Sequence, residues 1–299
     1  MSALASAVFA SHDPRFEDVL GDDPQLERVA EVDAHEGPVY AADEDALYFT
    51  SSRRERISIK RLDLGDGVVT VVREDANAAN GMALGRDGRL VVCEQGGFSE
   101  PARIALVDRR TGATETLVDE IDGHPFNSPN DVVVRSDGTI WFTDPSYGHL
   151  QGFRPKPAVD DRVYRLDPAR SRLDPVARGF DKPNGLAFSP DERILYVADN
   201  GAPHHLLAFD VEPDGSLTGR RPIAVGTIEH PDGLKVDAEG RIYASALHGI
   251  QVFDPASTLL GEIVLPGAVN FVFGGAGRNV LFITADTAVW AAHLNAKGA

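Results

Sequence analysis

The chain has 299 residues, of which 42% are hydrophobic and 25% are charged, and its formal net charge is −17. This composition excludes a wholly disordered chain, and no run reaches the roughly 18 apolar residues of a membrane-spanning helix. The negative charge makes nucleic acid and anionic membranes poor partners, so we expect neither. Cys93 is the only cysteine, which excludes an intrachain disulfide. A cytoplasmic location fits this, and Met1–Ala10 lacks the basic residues of a secretory signal.

Six segments repeat one pattern along the chain: a polar residue, a short apolar run, a turn and a second apolar run. The polar residues are Glu36, Asn80, Asn130, Asn184, Asp232 and Asn270. The middles of the second runs lie 43, 50, 55, 47 and 39 residues apart, at Leu47, Leu90, Ile140, Leu195, Ile242 and Leu281. That spacing is typical of four-stranded propeller blades.

The repeats predict an all-β fold: a single six-bladed β-propeller domain over residues 1–299, with four antiparallel strands in each blade. The last repeat holds only three strands before the chain ends. We therefore expect an N-terminal strand, at about Leu26–Val32, to complete the last blade and close the ring. One helical turn is expected at Arg15–Leu20, and no helix of ten or more residues.

The longest spacing, between the third and fourth repeats, contains the segment Pro145–Asp161. Its glycines, prolines and basic residues resist strand pairing. Two interpretations stay open, a loose surface connection and a lid over one face of the ring. Tyr147 and His149 lie in this segment and are candidate substrate contacts.

The polar residue that opens each repeat precedes the innermost strand, so we expect the six residues to form a ring at one mouth of the central channel. All six side chains carry oxygen, the donor that hard cations such as Ca²⁺ prefer. Asn and Asp are also common where turns begin, and one such residue would need no further explanation. Six in register favour a metal site, with Ca²⁺ first and Mg²⁺, Mn²⁺ or Zn²⁺ as alternatives.

Several long motifs resemble one family. They are HDPRFEDVL from His12, HEGPVY around Glu36, NSPNDVVVRSDGTIWFTDPSYG from Asn127, DKPNGLAFSPDERILYVADN from Asp181, HPDGLKVDAEGRIYAS from His230 and FVFGGAGRNVLFITA from Phe271. Over nearly its whole length the chain resembles the gluconolactonase group of the senescence marker protein/regucalcin superfamily. The resemblance implies a six-bladed propeller with one catalytic divalent metal.

The resemblance also implies roles at matching positions. Glu36, Asn184 and Asp232 match the family's metal ligands, and Asn130 matches the asparagine that binds the metal or the substrate beside it. Asp232 also matches the proposed general base, so Asp232 and Asn130 are the candidate catalytic residues. Four further residues are candidate substrate contacts: Asn80, Asn127, Tyr147 and His149. Asn270 is expected only to line the channel.

Two positions depart from the family pattern. Gln95 stands where members often carry His, and Ser128 stands where regucalcin-like members carry Arg. These changes leave the sugar-binding details open. The roles of His204, His205 and His248 also stay open.

The predicted function is metal-dependent opening of a sugar-acid or similar small lactone, in which the metal polarises the carbonyl and Asp232 activates water. One alternative is a phosphotriesterase or esterase of the diisopropylfluorophosphatase type on the same metal. Another is a non-enzymatic metal- or ligand-binding propeller. A strictosidine synthase-like propeller is a weaker idea, because Glu36 completes an acidic ring. The sequence leaves monomer and dimer open.

Overall fold

The computed structural model describes residues 8–52, 56–202, 204–224 and 228–299. Residues 1–7 of Met1–Ala10, the segment that is not expected to be a secretory signal, therefore lie outside the described residues. The chain begins with strand β1 (Phe9–Ser11), helix α1 (Phe16–Leu20) and strand β2 (Gln25–Ala34). The helix confirms the turn expected at Arg15–Leu20. No helix among the described residues is long and apolar enough to cross a membrane.

Six antiparallel sheets follow, one for each predicted blade. Blade one holds β3 (Glu36–Ala41), β4 (Ala46–Thr50), β5 (Ile59–Asp63) and β6 (Val69–Arg73). Blade two holds β7 (Ala79–Leu84), β8 (Leu90–Glu94), β9 (Arg103–Val107) and β10 (Thr114–Val118), and the small hairpin β11 (Glu120–Ile121) and β12 (His124–Pro125) follows it. Blade three holds β13 (Val132–Val134), β14 (Ile140–Asp144), β15 (Arg162–Asp167) and β16 (Arg172–Arg178), with helix α2 (Tyr147–Leu150) between β14 and β15 and a 3₁₀ turn (Pro168–Arg170) between β15 and β16.

The second half of the ring repeats the arrangement. Blade four holds β17 (Pro183–Phe188), β18 (Ile194–Asp199), β19 (His205–Val211) and β20 (Leu217–Ile223). Blade five holds β21 (Leu234–Val236), β22 (Ile242–Ala246), β23 (Gly249–Phe253) and β24 (Leu259–Val264). Blade six holds β25 (Asn270–Gly274), β26 (Val280–Thr284) and β27 (Asp286–His293). The innermost strands contact one another in order, and β25 contacts β3, so the ring is closed.

The N-terminal segment closes the ring as predicted. Strand β2 pairs with β27, with Leu26 opposite Ala292 and Arg28 opposite Trp290, and it supplies the fourth strand of blade six. Strand β1, which the sequence analysis did not predict, pairs with β24 as a fifth strand of blade five. The N-terminal residues are therefore attached to two neighbouring blades.

The hydrophobic core is divided among the contacts between blades. The described residues form six apolar clusters, and each cluster draws mainly on two neighbouring blades. Trp141, which is fully buried, packs edge-on against Phe188 of the next blade with 5.4 Å between ring centroids. Because every blade shares its core with both neighbours, we infer that the ring folds as one domain.

Helix α1 inserts a phenylalanine into the cluster between blades five and six. Phe16 is 0% exposed, and its ring fills the space where a side chain on Gly261 would lie. We expect Phe16→Ala to lower the free energy of unfolding by about 3–5 kcal/mol, as Phe-to-Ala changes in cores do. Urea unfolding followed by circular dichroism measures this loss.

The control for this variant is Phe98→Ala, because Phe98 is 74% exposed. Its unfolding free energy should stay within about 0.5 kcal/mol of the parent protein. Coincident unfolding curves for Phe16→Ala and the parent would contradict the packing role of α1.

Candidate functional site

The predicted ring residues meet at one mouth of the channel, where they border a cavity of about 640 Å³. Five of the six lie on the cavity wall: Glu36, Asn80, Asn130, Asn184 and Asp232. Asn270 lies beneath them, and its side-chain Nδ2 donates to Glu36 Oε2 at 2.8 Å. Five of the six residues are buried, and Asp232 is partly exposed. The structure therefore brings together the residues singled out by the repeats.

The six residues are not in one register, however. In four blades, one backbone N–H at the start of the innermost strand donates to a carbonyl of the second strand. The bonds are Asn130 N to Thr143 O at 2.9 Å, Asp232 N to Ser245 O at 3.2 Å, His35 N to Thr50 O at 2.7 Å and Val269 N to Thr284 O at 2.9 Å. Glu36 and Asn270 follow His35 and Val269, so they lie one residue deeper, where blade three places Asp131. The expectation of six equivalent positions is thus wrong for Glu36 and Asn270. The ring has an upper tier and a lower tier.

Glycines occupy the lower tier in blades two, four and five. A Cβ on Gly81 would lie 2.5 Å from Asn130 O, and one on Gly185 would lie 2.2 Å from Asp232 O. At Gly233 the obstacle is Asn270 Oδ1, at 2.5 Å. A side chain at these positions would collide with the next blade, so the lower-tier side chains come only from blades one, three and six.

The lower tier adds a third carboxylate, that of Asp131, to Glu36 and Asp232. Burial raises the pKa of Asp131 to about 6. The positive charge of Lys235 opposes this rise, and the negative charge of Glu36 adds to it. Lys235 is the balancing cation: its Nζ lies 3.3 Å from Asn270 Oδ1 and 5.9 Å from the Phe271 ring centroid. The repeat pattern singles out neither residue, although Asp131 follows Asn130 and Lys235 lies in the innermost strand after Asp232.

Asp232 and Glu36 form a tightly coupled pair. Burial, the charge of Glu36 and a hydrogen bond to the Glu36 carboxylate raise the pKa of Asp232 well above its usual range. Two carboxylates in one desolvated site do not both ionise unless positive charge is nearby. The pair therefore takes up either a proton or a cation.

Asn130 is rigidly placed but has an unused acceptor. Its backbone carbonyl accepts from Gly81 N at 2.8 Å and from Asn80 Nδ2 at 3.1 Å. Its side-chain Oδ1 is buried and has no hydrogen-bond partner among the described residues. Buried polar atoms are rarely left unpaired, so this oxygen indicates a ligand position.

Asn184 and Tyr147 lie side by side on the cavity wall. Asn184 Nδ2 donates to the Tyr147 hydroxyl at 3.4 Å, and Asn200, another wall residue, contacts the same hydroxyl. Burial and the charge of Asp232 raise the pKa of Tyr147 above its usual range, so the phenol stays neutral and can donate. Tyr147 thus lies on the cavity wall, and substrate contact by this residue stays a prediction.

Two predicted substrate contacts lie off the cavity wall. His149 is exposed on α2. Asn127 is buried, and its Nδ2 donates to the backbone carbonyl of Asp144 at 3.2 Å. Ser128 is buried as well and donates to Pro145 O at 2.6 Å. Substrate contact by His149 and Asn127 stays a prediction, whereas Gln95 does line the cavity.

A metal here would need amide as well as carboxylate oxygens. No group of three or more His, Cys, Asp or Glu side chains in the described parts of the chain is arranged around one metal position. Two carboxylates with the oxygens of Asn130 and Asn184 form a different donor set, all oxygen, which suits a hard cation. His204, His205 and His248 are not on the cavity wall.

Comparison with known proteins identifies the family. Residues 34–287 match the profile of the SMP-30/gluconolactonase/LRE-like region. The chain belongs to this family. It is 32% identical to a gluconolactonase from Zymomonas mobilis, over 91% of this chain and 82% of that protein. It is 28% identical to lactonohydrolase oryL from Aspergillus oryzae, over 88% of this chain and 69% of that protein.

A solved structure supports the same assignment. A gluconolactonase from Xanthomonas campestris superposes with a TM-score of 0.85 at 35% identity, covering 96% of this chain and 94% of that one. The family and the propeller fold expected from the sequence motifs are therefore confirmed.

Asp144, behind Asn127 and Ser128, provides a test of burial at the site. Its carboxylate accepts from the backbone N–H of Asn127 at 2.9 Å and of Ser128 at 2.8 Å, yet burial raises its pKa to about 7. Between about pH 4 and 7 the folded protein thus holds a proton that the unfolded chain has released. Stability falls as pH rises through this window, by up to about 1.4 kcal/mol per pH unit for one proton.

We expect Asp144→Asn to make the urea unfolding free energy less dependent on pH between 4 and 7 than in the parent. Asp191→Asn is the control, because hydrogen bonds lower the pKa of this exposed carboxyl below its usual value, outside the window. Identical pH slopes for Asp144→Asn and the parent would contradict the assignment.

Proposed function

We propose that the protein is a lactonase that opens a sugar-acid or similar small lactone with the help of one divalent cation. Lactone hydrolysis follows from the family and from its gluconolactonase and lactonohydrolase relatives. The proposed ligands are Glu36, Asn130, Asn184 and Asp232. The observation that carries the metal proposal is the buried, unpaired Oδ1 of Asn130, a residue that lines the same cavity as the interacting carboxylates of Glu36 and Asp232.

The donor set fits a hard cation. Two carboxylates and two amide oxygens leave coordination positions for water and substrate, and Ca²⁺ accepts six to eight oxygens. We therefore propose Ca²⁺ first, with Mg²⁺, Mn²⁺ and Zn²⁺ as alternatives. When bound, the cation would polarise the lactone carbonyl and stabilise the oxyanion of the tetrahedral intermediate.

Asp232 is the proposed general base. It can take a proton from water only when ionised, whereas burial and Glu36 favour its protonated form. A cation beside Glu36 and Asp232 would favour the ionised form of Asp232, so that its side chain is a carboxylate at neutral pH. Asp232 is the most accessible of the six ring residues, so water can reach it.

The neutral polar wall residues are suited to bind the substrate. Asn80 and Tyr147 lie on the cavity wall beside the ring and can hydrogen-bond to substrate oxygens. The phosphotriesterase and non-enzymatic alternatives would use the same donors. The lactonase names of the relatives favour lactone hydrolysis over both. A cytoplasmic location and the oligomeric state stay predictions.

The decisive experiment is hydrolysis of glucono-1,5-lactone, followed by proton release, on chelated protein with each metal restored singly. We expect turnover only with metal, and a loss of at least 10²–10⁴-fold in Asp232→Ala, which lacks base and ligand together. Asp66→Ala, in an exposed turn of blade one, is the matched control with parental activity. Parallel assays on a phosphotriester test the first alternative.

Full activity of Asp232→Ala would refute the assigned base. Undiminished turnover after chelation would refute the metal requirement while leaving the lactonase assignment intact.

A further inference from the structure

We infer that the cavity selects lactones that carry a large, uncharged, apolar substituent, which packs against Phe98, Phe153 and Ile57. This inference rests on lactone opening, the reaction of the proposed function, and it replaces the small sugar-acid lactone with a lactone that carries an apolar substituent as the preferred substrate. It is independent of which cation is bound, because none of these three side chains is a proposed ligand.

The cavity is larger than a single sugar ring requires. Its volume of about 640 Å³ lies within the range of roughly 300–1,000 Å³ that holds drug-sized ligands. The walls are of two kinds. The channel side presents the amides and carboxylates of the ring, whereas an apolar wall is formed by Ile57, Ala78, Phe98 and Phe153.

Phe98 is the most exposed of the large hydrophobic side chains in the described residues, at 74%. It projects from the loop 95–101, between β8 and β9, and borders the cavity. An exposed aromatic ring at the edge of a cavity is typical of a ligand-binding surface.

A buried guanidinium holds this loop in place. Arg154 Nη1 donates to Gly97 O at 2.8 Å, and Nη2 donates to Phe126 O at 2.9 Å. Arg154 Nε donates to Asn127 O at 3.0 Å. Burying an arginine is costly unless its donors are satisfied. Here Nη1 also donates to Glu100 O at 3.3 Å, so it binds backbone carbonyls on both sides of Phe98. Phe98 is therefore exposed on a fixed support and not on a loose loop.

Arg154 also joins the two segments that carry Phe98 and Phe153 of the apolar wall. Arg154 directly follows Phe153, and its side chain packs where a Cβ on Gly148 would lie, 2.3 Å from Arg154 Cγ. Segment 145–154, which holds the wall residues Tyr147 and Phe153, is thus tied to the Phe98 loop.

The charge of the walls argues against anionic substrates. Among the described wall residues there is no Lys or Arg, whereas Glu36, Glu100 and Asp232 are acidic. His35 is the one basic wall residue in the described ranges, and its Nδ1 lies 2.7 Å from Asp286 Oδ1. Among the protein side chains on the described parts of the wall, only the ion-paired His35 could offer positive charge to a phosphate, sulfonate or carboxylate on the substrate.

The test compares δ-valerolactone with δ-decalactone, which has the same ring and an added alkyl chain. We expect kcat/KM of the metal-loaded protein to be at least tenfold higher for δ-decalactone. Phe98→Ala should lower that value about tenfold, mainly through KM, and should leave δ-valerolactone unchanged. Leu247→Ala is the matched control, since Leu247 is an exposed side chain off this cavity. 6-Phosphoglucono-1,5-lactone should react at least tenfold more slowly than glucono-1,5-lactone.

Equal kcat/KM for the two δ-lactones, or an equal loss on both in Phe98→Ala, would overturn the inference and leave the lactonase proposal standing. If no lactone reacts, the proposed function fails, and calorimetry with the lactam analogue of δ-decalactone decides the inference separately. A Kd about tenfold weaker for Phe98→Ala than for the parent and Leu247→Ala supports it, whereas equal Kd values overturn it.

Discussion

The site depends on the repulsion between carboxylates that the propeller forces together. Glu36, Asp131 and Asp232 come from blades one, three and five, and the charge of Lys235 opposes the rise in the pKa of Asp131. Burial raises the cost of each negative charge, so the pKa values of Asp131 and Asp232 are raised. Such an arrangement persists only where the rest of the fold holds its members in place, and it favours whatever positive charge enters the cavity.

The ring is held by hydrogen bonds between blades. Four hydroxyls near the ends of second strands donate to a backbone carbonyl of the next blade, at 3.3, 2.8, 2.6 and 2.7 Å: those of Thr50, Thr143, Ser245 and Thr284. Lower-tier glycines let the innermost strands approach closely at the junctions of blades two and three, four and five, and five and six. Rigid backbone thus opposes the electrostatic repulsion, and the apolar clusters between blades add to it.

The sequence predicted the features of the fold that depend on the local pattern of apolar and polar residues. Blade spacing follows from alternating apolar runs, and the incomplete last repeat predicted the closing strand β2. The repeats predicted the ring residues but not their register, because only the strand pairing shows that Glu36 and Asn270 lie one residue deeper than Asn130 and Asp232. Lys235 and Arg154 were missed, since a single cation in a strand or loop has no pattern, and only the tertiary fold shows what it faces.

The cavity also separates the residues for chemistry from those for recognition. The oxygen donors lie at the starts of innermost strands, where a substitution disturbs contacts with the neighbouring blade, as the crowding around Gly81 illustrates. Phe98 and Phe153 of the apolar wall lie on two loops joined by Arg154, and loops change with less effect on the core. Within one family, lactone-opening chemistry can therefore stay constant while Phe98 and Phe153 change the substituent that is accepted. The buried arginine under an exposed aromatic ring holds Phe98 in place, which supports the inferred preference for one such substituent.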